Sequence, residues 1–597
     1  MKKVSTIVSD FFEQKGIKHV FLLSGGMMMH LLDSISKAKN IRYICMHHEQ
    51  AAGMAAEAYA RITGEVSLCY ATSGPGATNL ITAITGAWLD SSPVFFITGQ
   101  SRTQLTVRGL GINNLRMVGN FEVDIVSMVK PITKHAVVLD NADAVLYELE
   151  KSFYLAQEGR PGPVLLDIPL DIQGSTVNES VLSKFHIPTK KNYRLEPNLY
   201  ALVIEKLKLA KRPLIIAGNG IRIAGFVDEF RRMVSVLQIP VVTTQLANDL
   251  LPYNHEQYIG KLGLRGDRAG NFAVQTADVI ISIGSSLHVT STGYELEHFA
   301  PDAFKIVIDV DKAVLQKNLP VSNLQINVDV ATFFDNVLKN LNATDLQIST
   351  GWTKRLEKIK VKYQVIKEGH LFANNQLNTY TIIDTLSDLL KGNEIIVTDA
   401  GSLYYIVGQA FKSKLEQRVI VSGALGAMGY ALPAAIGCAF AQPDKQVICL
   451  TGDGSMQTNI QELQTLAHYQ LNCKVIVLNN KGYASIRNSQ SAFQDGHVAA
   501  SSESTGVTFP DWERVASAYT LKFRKVDSPL GLENFLVDLL FEKGPIFAEI
   551  IIPETVIMLP SVTSKKLDNG SFQSNRLEDM SPIIVGDDLL DISIKDY

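Results

Sequence analysis

The stretch from Thr451 to Asn480 constrains this chain more than any other part of it. The apolar run Val447-Ile448-Cys449-Leu450 delivers the chain into a turn, Gly452-Asp453-Gly454. A helical stretch follows, and a second apolar run, Val475-Ile476-Val477-Leu478, ends in Asn479-Asn480. The pattern predicts strand, tight turn, helix and strand, with polar groups at the carboxyl ends of two parallel strands. Ligands of open α/β sheets collect at that edge. Asp453 and the side-chain oxygen of Asn480 are hard oxygen ligands, with the Gly482 carbonyl as a candidate third. Mg²⁺ takes a few such ligands plus phosphate oxygens, not a cage made wholly of protein. The Gly454 and Ser455 amides open the helix toward an anion, and glycine lets the backbone come close to it. A lone Gly-Asp-Gly is usually only a turn. The Asn-Asn pair, one helix and one strand later, lifts it above that.

The chain has 597 residues, 46% of them hydrophobic, enough for three or four globular domains. A net charge of −4 leaves no nucleic-acid footprint. Its five cysteines form no CxxC pair, so reduced thiols and a cytoplasmic setting are expected. The first residues read as an amphipathic helix entering a strand, since Asp10 and Glu13 interrupt any signal-like run. No apolar run approaches the length of a membrane span.

Strand and helix patterns alternate in three blocks, which argues for an α/β fold of three doubly wound parallel sheets. The first block covers residues 1–173, and a polar, Lys-rich linker is expected over 174–194. The second covers 195–341, with strands expected at Pro213–Ala217, Pro240–Thr244, Val279–Ile283 and Lys305–Val310. A charged helical connection over 342–374 leads to the third block, 375–552, and a polar tail over 553–597.

The Gly452–Asn480 block resembles the diphosphate-binding motif of thiamine diphosphate (ThDP) enzymes. The similarity extends over nearly the whole chain to the acetolactate synthase-like family. It implies pyrimidine-binding, central and diphosphate-binding domains in that order. It also implies a carboxylate that protonates a pyrimidine ring nitrogen so that the thiazolium carbon can lose its proton. His48-Glu49-Gln50, at the end of a strand and the start of a small-residue helix, matches that signature and makes Glu49 the catalytic residue. Without the resemblance, Glu49 is equally a first-turn carboxylate favoured by the helix dipole. Ser73-Gly74-Pro75-Gly76-Ala77-Thr78-Asn79 is similar to the loop whose Pro75 and Asn79 positions border the pyrimidine. It is no Walker loop, because no Gly-Lys-Ser/Thr follows. Gly25 falls on the family's Tyr-Pro-Gly-Gly stretch. In Gly423–Ala435, Gly426 is the implied backbone contact to the aminopyrimidine and Met428 the apolar wedge. Methionine alone is more often core filler. Ala400, Gly401 and Ser402 complete the implied cradle with Gly452, Asp453, Gly454 and Ser455. In relatives the pyrimidine domain of one subunit faces the diphosphate domain of another, so a homodimer or homotetramer is implied.

The chain departs from acetolactate synthases at four places. Leu23-Ser24 replaces Tyr-Pro, and Phe121 stands where a glutamine is usual. Ser285–Thr290 lacks the usual arginines, and Ser489 replaces a tryptophan. Losing a cation and a bulky wall weakens selection for a second 2-keto acid and opens room for a larger acceptor. VKPITKHAV, NKGYASIRNSQ and the tail around Ser564–Pro582 resemble a subgroup associated with surface-polysaccharide gene clusters. Some of its members move an acetyl unit from pyruvate onto a keto-sugar nucleotide. The expected function is therefore a ThDP- and Mg²⁺-dependent carboligase with pyruvate as donor and the acceptor open. A decarboxylase that releases an aldehyde is the alternative, and a catalytically silent ThDP-binding subunit is a third reading. His47 or His48 is a candidate proton relay, with a packed core imidazole the other reading of His47. The loop Ser489–Gly506 is a candidate cover. Gly218-Asn219-Gly220, Gly263–Arg268 and Asp309/Asp311 occupy nucleotide-binding positions. The resemblance implies FAD there in acetolactate synthases and nothing in many other ThDP enzymes, so FAD stays open.

Overall fold

Valine- and isoleucine-rich runs bounded by Gly, Pro or Asp form three six-stranded sheets in which every pairing is parallel. The computed structural model describes residues 1–189, 196–317, 321–366, 376–567 and 569–584. The first sheet has strands β1 (His19–Leu22), β2 (Arg42–Cys45), β3 (Ser67–Ala71), β4 (Val94–Gln100), β5 (His135–Val138) and β6 (Val164–Pro169). Their order is β2-β1-β3-β4-β6-β5. The middle sheet has β7 (Pro213–Ala217), β8 (Val241–Thr243), β9 (Tyr258–Lys261), β10 (Val279–Ile283), β11 (Phe304–Ile308) and β12 (Leu324–Ile326), ordered β9-β8-β7-β10-β11-β12. The third has β13 (Ile395–Thr398), β14 (Arg418–Val421), β15 (Val447–Gly452), β16 (Cys473–Asn479), β17 (Lys522–Val526) and β18 (Ile546–Ile551), ordered β14-β13-β15-β16-β18-β17. Central strands such as β4 and β7 are buried along their whole length, which requires helices on both faces. The order reverses between β1 and β3, between β7 and β10, and between β13 and β15. Those reversals are where such sheets open a crevice.

The first and third domains share one core. The helix Glu49–Thr63 lies against the helix Ala431–Ala441, and both faces are small: Ala51, Ala55 and Ala58 meet Ala434, Ala435 and Cys438. A Cβ on Gly437 would stand 2.1 Å from the Ala55 carbonyl oxygen, so the backbones themselves touch.

Two segments differ from expectation. Residues 174–189, read as the start of a linker, include Thr176–Val177, which pairs antiparallel with Lys2–Lys3 and closes the first domain. The tail also folds. Ser561–Val562 pairs with Met580–Ser581, and Ser564–Lys566 pairs with Phe572–Ser574. Val562, Leu577 and Met580 enter the core of the middle domain beside Phe272 and Phe299. The Arg268 guanidinium donates to the carbonyls of Met580 (3.1 Å) and Pro582 (2.6 Å), and Asn271 Nδ2 to that of Leu577 (2.9 Å). A few apolar anchors in polar surroundings do this, too sparse to show a period. The connection contains the helix Thr350–Lys362. The parts of the linker, connection and tail at 190–194, 367–374 and 585–597 lie outside the described residues. Among the described residues no helix is long and apolar enough to cross a membrane.

Candidate functional site

At the reversal of the third sheet, β13 leads into Asp399-Ala400-Gly401, β15 into Asp453, and β16 into Asn480. Asp453 is 1% exposed. Its Oδ1 accepts from the Gly454 amide (2.7 Å), and its Oδ2 from the amides of Asn480 (3.0 Å) and Gly482 (3.2 Å). Burial pushes the Asp453 carboxyl up to about 6, against the pull of those amides. The Asn480 side-chain oxygen beside it is buried and has no hydrogen-bond partner. At a strand end beside Asp453, this unsatisfied oxygen is available to a ligand. Gly401 takes φ +79° at the head of the helix Ser402–Ala410, with Ser485 next to it. Gly426 takes φ +66° with open space where a side chain would stand, and Met428, in the same loop, is 37% exposed. Gly454 lies under the Tyr483 ring, and Ser455 is buried behind it.

Asp399, which the sequence reading missed, joins the parts of this edge. It accepts from the amides of Ala400 (2.9 Å), Gly429 (2.9 Å) and Ala431 (3.1 Å) and from the Thr451 hydroxyl (3.1 Å). Burial raises its carboxyl above the usual range. An aspartate directly after an apolar run and before Ala-Gly was the available signal.

At the same edge of the first sheet, Glu49 is the first residue of its helix and is buried. Its Oε2 accepts from Asn79 Nδ2 at 3.0 Å. The short helix Pro75–Asn79 follows Gly74 at φ +62°, and a Cβ on Gly76 would press to 3.2 Å from Glu49 Oε1. A Cβ on Gly25 would collide with the Thr72 side chain at 2.4 Å, so glycine lets the loops after β1 and β3 close on each other. Phe121 sits on the Gly74 loop at φ +61° with 64% of its surface exposed. A bulky residue in that conformation is strained. His48 Nδ1 accepts from the Gln50 amide, so this ring caps the helix, and His47 is exposed instead of packed in a core.

Glu462 was also missed. Fully buried at the head of the helix Glu462–His468, it accepts from the His47 amide (3.0 Å) and the Thr465 hydroxyl (2.7 Å). Burial lifts its carboxyl to about 7. It ties the third domain to the residues just before Glu49, and Asn459 reaches Gln50 nearby at 3.4 Å. Among the described residues, no hydrogen bond or ion pair joins Glu49 to Asp453, Asn480 or Gly482.

Three family models match in chain order. That of the N-terminal TPP binding domain of thiamine pyrophosphate enzymes covers residues 2–119, the central domain 201–339, and the C-terminal TPP binding domain 399–550. The chain is 34% identical to the acetolactate synthase large subunit of Lactococcus lactis subsp. lactis, over 94% of each chain. It is 32% identical to the acetolactate synthase isozyme 1 large subunit of Escherichia coli, over 93% of this chain and 95% of that one. It is 31% identical to a probable acetolactate synthase large subunit of Methanocaldococcus jannaschii, over 94% of each. The chain belongs to the acetolactate synthase-like family of ThDP enzymes. It is a ThDP-dependent enzyme of that kind, with the family's three α/β domains.

The third-domain edge fits a diphosphate with Mg²⁺. It offers one carboxylate, the orphaned Asn480 oxygen and a glycine-rich rim. Among the described residues no cluster of three His, Cys, Asp or Glu gathers anywhere, and Mg²⁺ needs none. The middle reversal is different. The Gly218 amide donates to Ile283 O (2.9 Å) and the Gly220 amide to Gly284 O (2.9 Å), so those two amides are spent on the neighbouring loop. Asp309 Oδ1 accepts from the Asp311 amide at 2.9 Å, and Asp311 pairs with Arg160 of the first domain at 3.3 Å. In the arginine-poor Ser285–Thr290 loop, Lys317 Nζ donates to the carbonyls of Ser286 and Leu287. Part of the expected cover, Ser489–Phe493, is the end of the helix Ala484–Phe493.

Proposed function

We propose that this enzyme decarboxylates a 2-keto acid, pyruvate first among them, and joins the remaining acyl unit to an acceptor carbonyl. A keto-sugar nucleotide is the acceptor we favour. The observation that carries the reading is the pair of sheet edges. A buried glutamate is held by one amide at the first, and a buried aspartate stands beside an orphaned amide oxygen at the third. When bound, ThDP supplies a nucleophilic carbon and an electron sink for the departing carboxylate. Asp453 and Asn480 Oδ1, with the Gly482 carbonyl, would hold Mg²⁺ beside a bound diphosphate. Gly401, Ser402, Gly454 and Ser455 line the rim. Glu49 would share a proton with a bound pyrimidine through Oε1, since Asn79 already donates to Oε2 and a side chain at position 76 would crowd Oε1. Met428 would present apolar surface to a bound cofactor, and water kept from the reacting carbon favours ligation over protonation.

The acceptor preference rests on Phe121 and Ser489. An exposed ring replaces an amide group, and a small hydroxyl stands on the exposed side of its helix. Two copies of the chain complete the reaction centre, the first domain of one facing the third domain of the other. Exposed Leu110, Ile112 and Met117, in the segment that precedes the exposed Phe121, support that pairing. FAD belongs to the middle crevice in this reading, supported by the strand order of that sheet and the second oxygen of Asp309. Visible flavin absorbance of purified protein tests it, and a colourless protein that takes up no added FAD removes it.

The deciding experiment is pyruvate consumption by purified protein with ThDP and Mg²⁺, resolving CO₂, acetaldehyde and acetolactate, with and without a keto-sugar nucleotide. A new branched product, with little acetolactate, is expected. Acetolactate as main product would refute the altered acceptor, acetaldehyde would make this a decarboxylase, and no consumption would refute pyruvate as donor.

A further inference from the structure

A second cluster of buried ionisable groups lies between the first and third domains, away from Glu49 and Asp453. Glu57 and Arg61 come from the Glu49–Thr63 helix, Asp90 from the end of the helix Ile81–Asp90, and Tyr430 from the third domain. Glu57 accepts from the Ser92 hydroxyl (2.6 Å) and the Tyr430 hydroxyl (2.5 Å). Arg61 donates to the Val421 carbonyl (2.9 Å) and the Tyr430 oxygen (3.2 Å) and stands 3.7 Å from Glu57 and 3.8 Å from Asp90. Asp90 Oδ1 accepts from the Ala424 amide at 2.9 Å. Its Oδ2 fills the place of a Cβ on Gly423, 1.4 Å from where that atom would be, so only glycine lets the carboxylate lie on this backbone.

Burying three charged side chains at a domain boundary is expensive, and apolar packing would hold the domains together at lower cost. The third-domain partners of these groups all lie on one short stretch, Val421, Ala424 and Tyr430. Within it, the Gly426 amide donates to Ser422 O (2.9 Å) and the Ser422 hydroxyl to Ala427 O (2.8 Å). Asp399 of the third domain holds the far end at Gly429 (2.9 Å). The loop is thus pinned at its start by Asp90 of the first domain, and at its far end by Asp399 of its own domain and, through Tyr430, by the first domain again. Between the pins lie Gly426, with open space where a side chain would stand, and the partly exposed Met428.

We propose that Asp90, backed by Arg61, Glu57 and Tyr430, is a positioning residue that latches this loop to the first domain and fixes where Gly426 and Met428 meet the cofactor. This rests on the reading that the loop meets ThDP. The latch makes cofactor geometry depend on how the two domains sit together.

The test is calorimetric titration of full-length protein with ThDP in excess Mg²⁺, with near-ultraviolet circular dichroism of the bound aminopyrimidine and kcat alongside. Asp90→Ala leaves the Ala424 amide and Arg61 without their carboxylate, and the ThDP dissociation constant rises about tenfold. Asp90→Asn keeps an acceptor for that amide and restores affinity to within about threefold of wild type. Gly423→Ala displaces the carboxylate from the other side and reproduces Asp90→Ala, and the double variant is no worse than either single change. A structural role alone would lower the melting temperature without ThDP and leave affinity and dichroism unmoved. Folded Asp90→Ala and Gly423→Ala proteins that bind ThDP as wild type does would overturn the inference. If Asp90→Ala fails to fold, Gly423→Ala against Asp90→Asn gives the same decision. Wild-type protein that binds no ThDP would overturn the functional reading and the latch with it. If Asp453→Asn abolishes binding while the latch variants do not change it, only the latch is lost.

Discussion

The outer domains and the middle one are built from the same parts, yet they finish their sheets differently. The first and third sheets share one strand order, second-first-third-fourth-sixth-fifth, while the middle sheet runs third-second-first-fourth-fifth-sixth. At the outer reversals, buried polar side chains stop short of full satisfaction: the Asn480 oxygen has no partner, and Glu49 has one oxygen held. At the middle reversal the facing backbones bond to each other through Gly218, Gly220 and Gly284. An α/β sheet offers a crevice wherever its order reverses. The groups left over at that point decide what the crevice offers a ligand: side-chain oxygens at the outer edges, and at the middle one the second oxygen of Asp309 after the Gly218 and Gly220 amides have bonded across the sheet.

The comparison breaks most visibly at Glu49. Glu49→Gln is expected to lower turnover on the order of a thousandfold while the ThDP dissociation constant moves by less than about threefold. Wild-type turnover in this variant would mean that the first edge is not part of the reaction centre. At the other outer edge, Asp453→Asn is expected to weaken ThDP binding in Mg²⁺ about a hundredfold, since a neutral amide replaces the one carboxylate for a divalent ion. Titration calorimetry reads it, and unchanged affinity would move the diphosphate elsewhere.

The joint between the outer domains supplies a pH test. Burial raises the Glu462 carboxyl from 4.5 to about 7, so the folded protein holds this proton more tightly than the unfolded chain. The resulting stability is fully present below pH 4.5 and is lost as pH rises through 7, a change of about 3 kcal/mol. Urea unfolding at pH 5 and pH 8 should therefore show a steeper loss in wild type than in Glu462→Gln. Parallel losses would show that Glu462 is not the group responsible. The smallest effect on ThDP belongs to the middle domain. Asp309→Asn is expected to leave ThDP affinity within about twofold while reducing retained flavin, and equal loss of both would erase the distinction between outer and middle sheets.

Much of the frame could be read from the chain itself, because buried parallel strands announce themselves as short apolar runs. Pro213–Ala217 and Val279–Ile283 fall on the expected bounds, and Asp453 and Asn480 lie at strand ends as their spacing required. Asp399, Glu462 and Asp90 were not legible as parts of a site. A carboxylate is given its role by amides and hydroxyls contributed from far along the chain, and those pairings have no local pattern. The folded tail escaped for a related reason, since Val562, Leu577 and Met580 are anchored on a surface made by residues nearly three hundred positions earlier. Ser489–Phe493 looked like loop by composition, but its helix is set by what precedes it.

Gly437 and the alanines around it form a stiff mechanical joint. The Glu49–Thr63 helix begins with the buried carboxylate proposed to activate the cofactor, and the loop with Gly426 and Met428 runs directly into the Ala431–Ala441 helix. Where large side chains separate two helices, rotamer changes absorb small displacements. Here backbone rests on backbone, with no compressible layer between. The two helices therefore act as a rigid caliper, and a shift at either candidate edge is handed to the other with little slack.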